Sequence, residues 1–214
     1  MTVQSVFDNI TQDEISRYTE YWNSIAPQND GEIFQRWLFA YTSIHTTWEG
    51  NVRGYKAIKN FEDWIFDKNI LLEKLTNSKV GMQNKRTEYI WNFSRLFFLN
   101  PKNFHKKLDE NWFEFRDRLV RLCGGIGLAK VSFTLEMCFP QESQVVCLDT
   151  HMIQLYGIEL GRKKIDCPIY LSTEKDWLIR SISKNASPCI TRAIFWDKKQ
   201  KQNDSRYWSY VLEA

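Results

Sequence analysis

Residues 122 to 157 read LCGGIGLAKVSFTLEMCFPQESQVVCLDTHMIQLYG, and this stretch decides the fold. Gly125-Ile126-Gly127 sits between two patterns of helical period. Before it, Trp112, Phe115, Leu119 and Leu122 fall on one face. After it, Leu128 to Met137 forms a second helix, closed by Phe139-Pro140. Val145-Val146-Cys147-Leu148 is β-prone but short and reads as a buried extended linker. Asp149 then stands at an N-cap position before a helix from Thr150 to Tyr156.

The rest of the chain repeats the helical theme. Thr11-Gln-Asp-Glu14 is a capping box that opens a helix to about Ile25. A helix from Glu32 carries Phe34, Trp37, Leu38 and Tyr41 on one face, and Ser43 to Thr47 interrupts it. Another follows through Tyr55 and Ile58, then short ones over 61–66 and 70–75. Asn84 caps a longer helix that stops at Asn100-Pro101, because the residue before proline disfavours the helical region. Thr173 opens a helix to about Ser183, and Pro188 opens another to Trp196. Only 9 Gly and 5 Pro in 214 residues fit long helices rather than many turns. The fold class is all-α, with the N-terminal helix joining the C-terminal ones.

Composition narrows the function. A net charge of +3 permits a nucleic-acid partner without requiring one. The five cysteines are odd in number and form no C-x-x-C pair, so buried reduced thiols are expected, with no disulfide framework and no metal ligand set. No apolar run approaches the ~18 residues of a membrane span. The first residues, MTVQSVFDNITQDE, lack a basic start and an apolar core. A cytoplasmic monomer without membrane contact is expected.

Glycines at 125 and 127 allow positive φ and close approach of a ligand to the backbone. Free N–H groups at the start of the following helix favour an anionic oxygen. Such a contact positions a protein on a nucleic-acid backbone and carries no sequence information. Ile126 points back and locks the two helices together. Taken alone, Gly-x-Gly more often marks a tight turn, and an isolated Asp before a helix is normally just a cap. Here Asp149 follows the hairpin by 22 residues (127 to 149), within Leu148-Asp149-Thr150-His151.

That combination resembles the helix-hairpin-helix DNA glycosylase superfamily, whose pattern runs Leu-Pro-Gly-Val-Gly-x-Lys-x-Ala and then Val-Asp-Thr-His. Two upstream stretches match as well. Ser43-Ile44-His45-Thr46-Thr47 falls where the family has Ser-x-Gln-x-Thr at a helix facing DNA. Gly81-Met82-Gln83-Asn84-Lys85-Arg86 falls where it has Gly-x-x-Asn-x-Lys. The match spans roughly residues 33 to 157. The resemblance implies a two-lobed helical fold with a DNA cleft between the lobes. A helical barrel lobe would cover 33–120, the helix-hairpin-helix and catalytic-Asp helix 121–157, and 1–30 with 158–214 a second lobe. It implies double-stranded DNA as partner and a flipped nucleotide. Asp149 would stabilise a cationic sugar or activate a nucleophile. Gly125, Ile126 and Gly127 would hold a phosphate 3′ to the target, together with a monovalent cation and no other cofactor. His45, Thr46, Thr47, Lys85, Arg86, Thr150 and His151 would face the DNA.

Lyase-competent members carry a nucleophilic lysine two residues after the second glycine. Here that position is Ala129, and Lys130 comes one later, about 100° further round the helix. Lys130 is therefore either a displaced catalytic amine or a phosphate-facing one. His151 either enters the cleft or ties its loop to a nearby carbonyl. The four-cysteine cluster of the iron–sulfur members is missing, so no iron–sulfur cluster is expected. The variant Gly-Ile-Gly-x-x-Lys-x-Ser-Phe with Cys-Leu-Asp-Thr-His looks closer to a divergent branch. That branch includes phage proteins that join an amino acid or polyamine to an activated 5-hydroxymethyluracil. Three functions stay open: excision of a base through Asp149, base modification on the same scaffold, and a non-catalytic DNA-binding module. Excision is the superfamily's commonest chemistry and is the expected one. Trp196, Tyr207 and Trp208 are further candidates for the cleft.

Overall fold

A computed structural model of the chain describes residues 2–159, 165–201 and 211. Among them every regular element is helical. The chain divides into two compact units, one made of 27–134 and the other of 2–26 with the described part of 135–208. The division falls between Thr134 and Leu135, inside a single helix. The Asp149 helix thus groups with the N- and C-terminal segments.

The unit of 27–134 begins with α3 (Asp30–Thr42), capped by Asn29, whose side chain accepts from Glu32 N–H. It continues with α4 (Trp48–Ile58), α5 (Lys68–Asn77), α6 (Gln83–Leu99) and α7 (Trp112–Leu122). Helix α3 packs on α4 and α6, and α5 lies between α4 and α6. The contact faces are aromatic. Phe93 stacks on Phe34 at 5.3 Å and on Trp37 at 5.3 Å, with Phe97 and Phe104 edge-on or tilted around them. Such offset and edge contacts add to the gain from burying the rings. The loop 43–47 ends with Thr47, which caps α4 by accepting from Gly50 N–H.

The other unit contains α1 (Val3–Asp8) and α2 (Gln12–Ser24). It also holds the end of α8 (Leu128–Cys138), then α9 (Thr150–Leu155), α10 (Cys167–Ser183) and α11 (Pro188–Lys199). The Thr11 capping box forms as expected, Thr11 N–H reaching Glu14 at 2.9 Å. Helix α11 packs on α2 and α10. Trp177 is the centre, edge-on to Phe7 at 4.6 Å, its indole N–H donating to Thr191 at 3.0 Å. No helix of the described residues is long and apolar enough to cross a membrane.

Two local expectations are corrected. Helix α10 starts at Cys167, six residues before Thr173, because Pro168 supplies a ready N-terminal φ. Asn84 does not cap α6. Met82, in the left-handed region at φ 51°, occupies the cap position without a side-chain bond, and Asn84 lies in the first turn. The opening residues also form a helix, α1, because Thr2 and Ser5 build a second capping box. Four cysteines are buried, whereas Cys167 is exposed.

Candidate active site and DNA-contacting elements

The linker before Asp149 is extended, as its β-prone residues require, yet among the described residues no strand pairs with it. Its backbone polar groups still need partners, because Val145 to Leu148 are buried. Side chains supply them. Glu174 accepts from Val146 N–H at 2.7 Å, and Glu136 accepts from Cys147 N–H at 2.9 Å. The Tyr170 hydroxyl donates to the Val146 carbonyl at 2.6 Å and receives Leu148 N–H at 3.4 Å. Helices α8 and α10 thereby stand in for a sheet and hold the entry to the site.

At the end of this linker Asp149 caps α9. Its Oδ1 accepts from His151 N–H at 2.9 Å and Met152 N–H at 3.0 Å. Its Oδ2 faces Arg192 Nη1 at 3.5 Å, and the side chain is half-buried. One oxygen is therefore taken up by the cap, and the other faces a guanidinium. Arg192 itself is bound to Glu136, with Nε–O distances of 2.8 and 2.9 Å and an Nη2–O distance of 2.6 Å. Burial works against the Arg192 charge, and the adjoining Glu136 carboxylate overcomes it, holding the guanidinium protonated well above its ordinary range. Sequence reasoning missed both residues. The signal was present: each is a lone charge within a short uncharged run of its helix, in Phe-Thr-Leu-Glu136-Met-Cys and Cys-Ile-Thr-Arg192-Ala-Ile-Phe. Opposite buried charges of that kind must find each other.

Thr150 is exposed in the first turn of α9. His151 is half-buried, and its ring Nε2 lies 3.2 Å from Gln200 Nε2 rather than on a carbonyl. Trp196 lies on α11 and is half-buried, while Tyr207 and Trp208 lie outside the described residues. Lys198 is used structurally, donating to Asn9 O and pairing with Glu14 at 2.7 Å.

In the other unit, the hairpin has the expected form. Ile126 is 7% exposed and packed inward. Gly125 has φ +79°, and a Cβ there would lie 2.4 Å from the Tyr89 ring. Only glycine fits. Added Cβ atoms at Gly124 and Gly127 would meet nothing within 4 Å, so these backbone faces are open. The Tyr41 hydroxyl braces the turn by donating to Gly124 O at 3.3 Å. Lys130, in the first turn of α8, is half-buried with Nζ 5.5 Å above the Phe133 ring.

The loop before α4 exposes His45 in the left-handed region at φ 46°, with Thr46 half-buried and Thr47 exposed. Lys85 is exposed. Arg86 corrects the expectation placed on it. It is 2% exposed and donates to the carbonyls of Tyr41 at 2.7 Å, Thr42 at 3.0 Å, Ile44 at 2.7 Å and Gly81 at 3.2 Å. Burial pushes its pKa down to about 10. A guanidinium so occupied has no fork left for a phosphate. It caps the C-terminus of α3 and fixes the loop that presents His45.

No family model matches the sequence, and neither does any curated protein sequence. Solved structures do match. The 8-oxoguanine DNA glycosylase of Methanocaldococcus jannaschii superposes with a TM-score of 0.68 at 21% identity, over 94% of this chain and 89% of that one. The same archaeon's 8-oxoguanine glycosylase/lyase, in complex with DNA containing 8-oxoguanine, gives 0.70 at 21% identity, over 94% and 96%. The 8-oxoguanine DNA glycosylase of Thermotoga maritima gives 0.71 at 20% identity, also over 94% and 96%. Over most of its length this chain shares the helical fold of these 8-oxoguanine DNA glycosylases.

Proposed function

We propose that the chain is a base-extruding DNA enzyme that cleaves the N-glycosidic bond of a modified or mismatched base, with Asp149 as its catalytic carboxylate. The observation that carries this reading is the divided use of Asp149. One oxygen is spent on two backbone N–H groups of α9, and the other is held half-exposed beside Arg192. A cap alone needs only the first. A fixed carboxylate oxygen can stabilise the positive charge that develops on the sugar as the base departs. The fold likeness to DNA glycosylases supports the same reaction class.

The partner in this reading is duplex DNA, engaged by the open backbone of Gly124 and Gly127 and by Lys85 and His45. A neighbour crystallised with DNA supports it. Carbonyls of the hairpin are hard oxygen donors that suit a monovalent cation. Gly124 O already takes Tyr41 and keeps a second lone pair. The cation would neutralise part of the approaching phosphate charge. With Ala129 in the lyase position, excision proceeds without strand cleavage, and Lys130 acts as a phosphate-facing cation.

The test is incubation of the protein and its Asp149→Asn variant with defined duplexes. These carry uracil, mismatched thymine, 8-oxoguanine, alkylated bases or activated 5-hydroxymethyluracil. Intact strand mass is read before and after mild alkali. Loss of one base mass, absent in the variant, is expected. A mass gain only on the activated pyrimidine, with an amine supplied, would move the protein to the base-modifying reading. No change on any duplex would leave a DNA-binding module.

A further inference from the structure

Arg192 is buried on α11 among Cys189, Ile194 and Phe195, all nearly inaccessible. A single buried arginine is costly unless its charge is met. Glu136 meets it fully through Nε and Nη2. That pairing alone would serve stability. The third nitrogen, Nη1, is instead turned to Asp149 Oδ2 at 3.5 Å. The planar fork of a guanidinium makes this a rigid linkage, since fixing one edge on Glu136 fixes the direction of the other N–H groups. Glu136 is itself pinned by Cys147 N–H, two residues before Asp149. The chain of contacts closes on itself: Asp149, Arg192, Glu136, Cys147 and back along the backbone to Asp149.

We propose that Arg192 is a positioning residue for Asp149, holding its second carboxylate oxygen in one orientation through the rigid guanidinium anchored on Glu136. The proposal rests on the reading of Asp149 as the catalytic carboxylate. Oδ1 is held by α9, and Arg192 denies Oδ2 the rotation that a lone cap would retain. The linkage also explains why a charged pair occupies an apolar helix contact, where two hydrophobic side chains of similar volume would serve stability equally well.

The experiment uses Arg192→Lys. Lysine keeps the charge and can still pair with Glu136, but one ammonium cannot span both carboxylates. The probes are two duplexes: one with a pyrrolidine abasic-site analogue, whose protonated ring nitrogen imitates the cationic sugar, and one with the neutral tetrahydrofuran analogue. The wild type is expected to prefer the cationic duplex, and Asp149→Asn to lose that preference. Arg192→Lys is expected to lose at least about tenfold of it, because a small misplacement of a reacting group is costly. Its affinity for the neutral duplex and its thermal midpoint should stay near wild type.

If Arg192→Lys keeps the full preference while Asp149→Asn loses it, the proposal is overturned and the reading of Asp149 stands. If Arg192→Lys weakens both duplexes together and lowers the midpoint, its role is structural and the proposal is likewise overturned. If Asp149→Asn matches wild type on both duplexes, the catalytic reading itself fails. Should Arg192→Lys not fold, nitrogen-15 spectra of the arginine side chains in wild type and Asp149→Asn decide. A shift of the Arg192 Nη1 signal supports the linkage, and an unmoved signal rules it out.

Discussion

In the proposed reading Asp149 does two jobs with one side chain, and a single substitution separates them. Asparagine caps a helix about as well as aspartate, so Asp149→Asn should change unfolding free energy by less than about 1 kcal/mol. It should lower excision by roughly 10²–10⁴-fold, as removal of a positioned charged group does. Chemical denaturation and strand-mass kinetics on the same preparation check both halves, and a collapse of stability would mean that the carboxylate is chiefly architectural. The two hairpin glycines part in a similar way. Gly125→Ala combines φ +79° with a Tyr89 clash and should cost about 1–3 kcal/mol in addition to duplex affinity. Gly127→Ala meets no neighbour within 4 Å. It should leave stability near wild type while the added methyl blocks a phosphate, so duplex binding falls alone. Equal stability losses in the two variants would contradict the open face at Gly127.

At the scale of elements, the meeting of α3 and α6 depends on Arg86. Its four carbonyl contacts tie the end of α3 and the following loop to the start of α6. Arg86→Ala should therefore cost at least about 2 kcal/mol, read by denaturant unfolding, since bonds from a charged donor are among the stronger ones. Lys85→Ala, one residue away but exposed, should leave stability unchanged. It should lower the slope of log affinity against log salt by about one for a duplex. A reversed pattern would return Arg86 to the DNA surface. Helix α8 bears the question of strand cleavage. With Ala129 in the lyase position and Lys130 over Phe133, borohydride should trap no covalent protein–DNA adduct. A trapped adduct lost in Lys130→Ala would restore the amine as nucleophile.

For the whole molecule, acid is a sensitive probe of its ion pairs. Bonds from Arg118 at 2.6 and 2.8 Å hold the Glu110 carboxyl below its ordinary 4.5. A carboxyl depressed in the folded state contributes stability that is present above its unfolded pKa and lost as pH falls through the folded one. The thermal midpoint should accordingly drop below about pH 4.5, with a shallower drop in Glu110→Gln, and an unchanged slope in that variant would discount the pair. The helical class is legible from one end of the chain to the other, because periodicity and caps such as Thr11 are local. The hairpin and Asp149 are legible too, because glycine at positive φ and a capping carboxylate are local demands. The partners of buried polar groups come only with folding. Arg86 looked like a surface cation beside Lys85 until the carbonyls of Tyr41, Thr42 and Ile44 came within reach of it. Glu136 and Arg192 are 56 residues apart, and no local pattern tells which buried charge answers another. The division of the chain inside α8 belongs to the same class, since a continuous helical period carries no mark of where its packing changes. Long-range pairing is set by where burial brings chain segments together, and that is a property of the folded core.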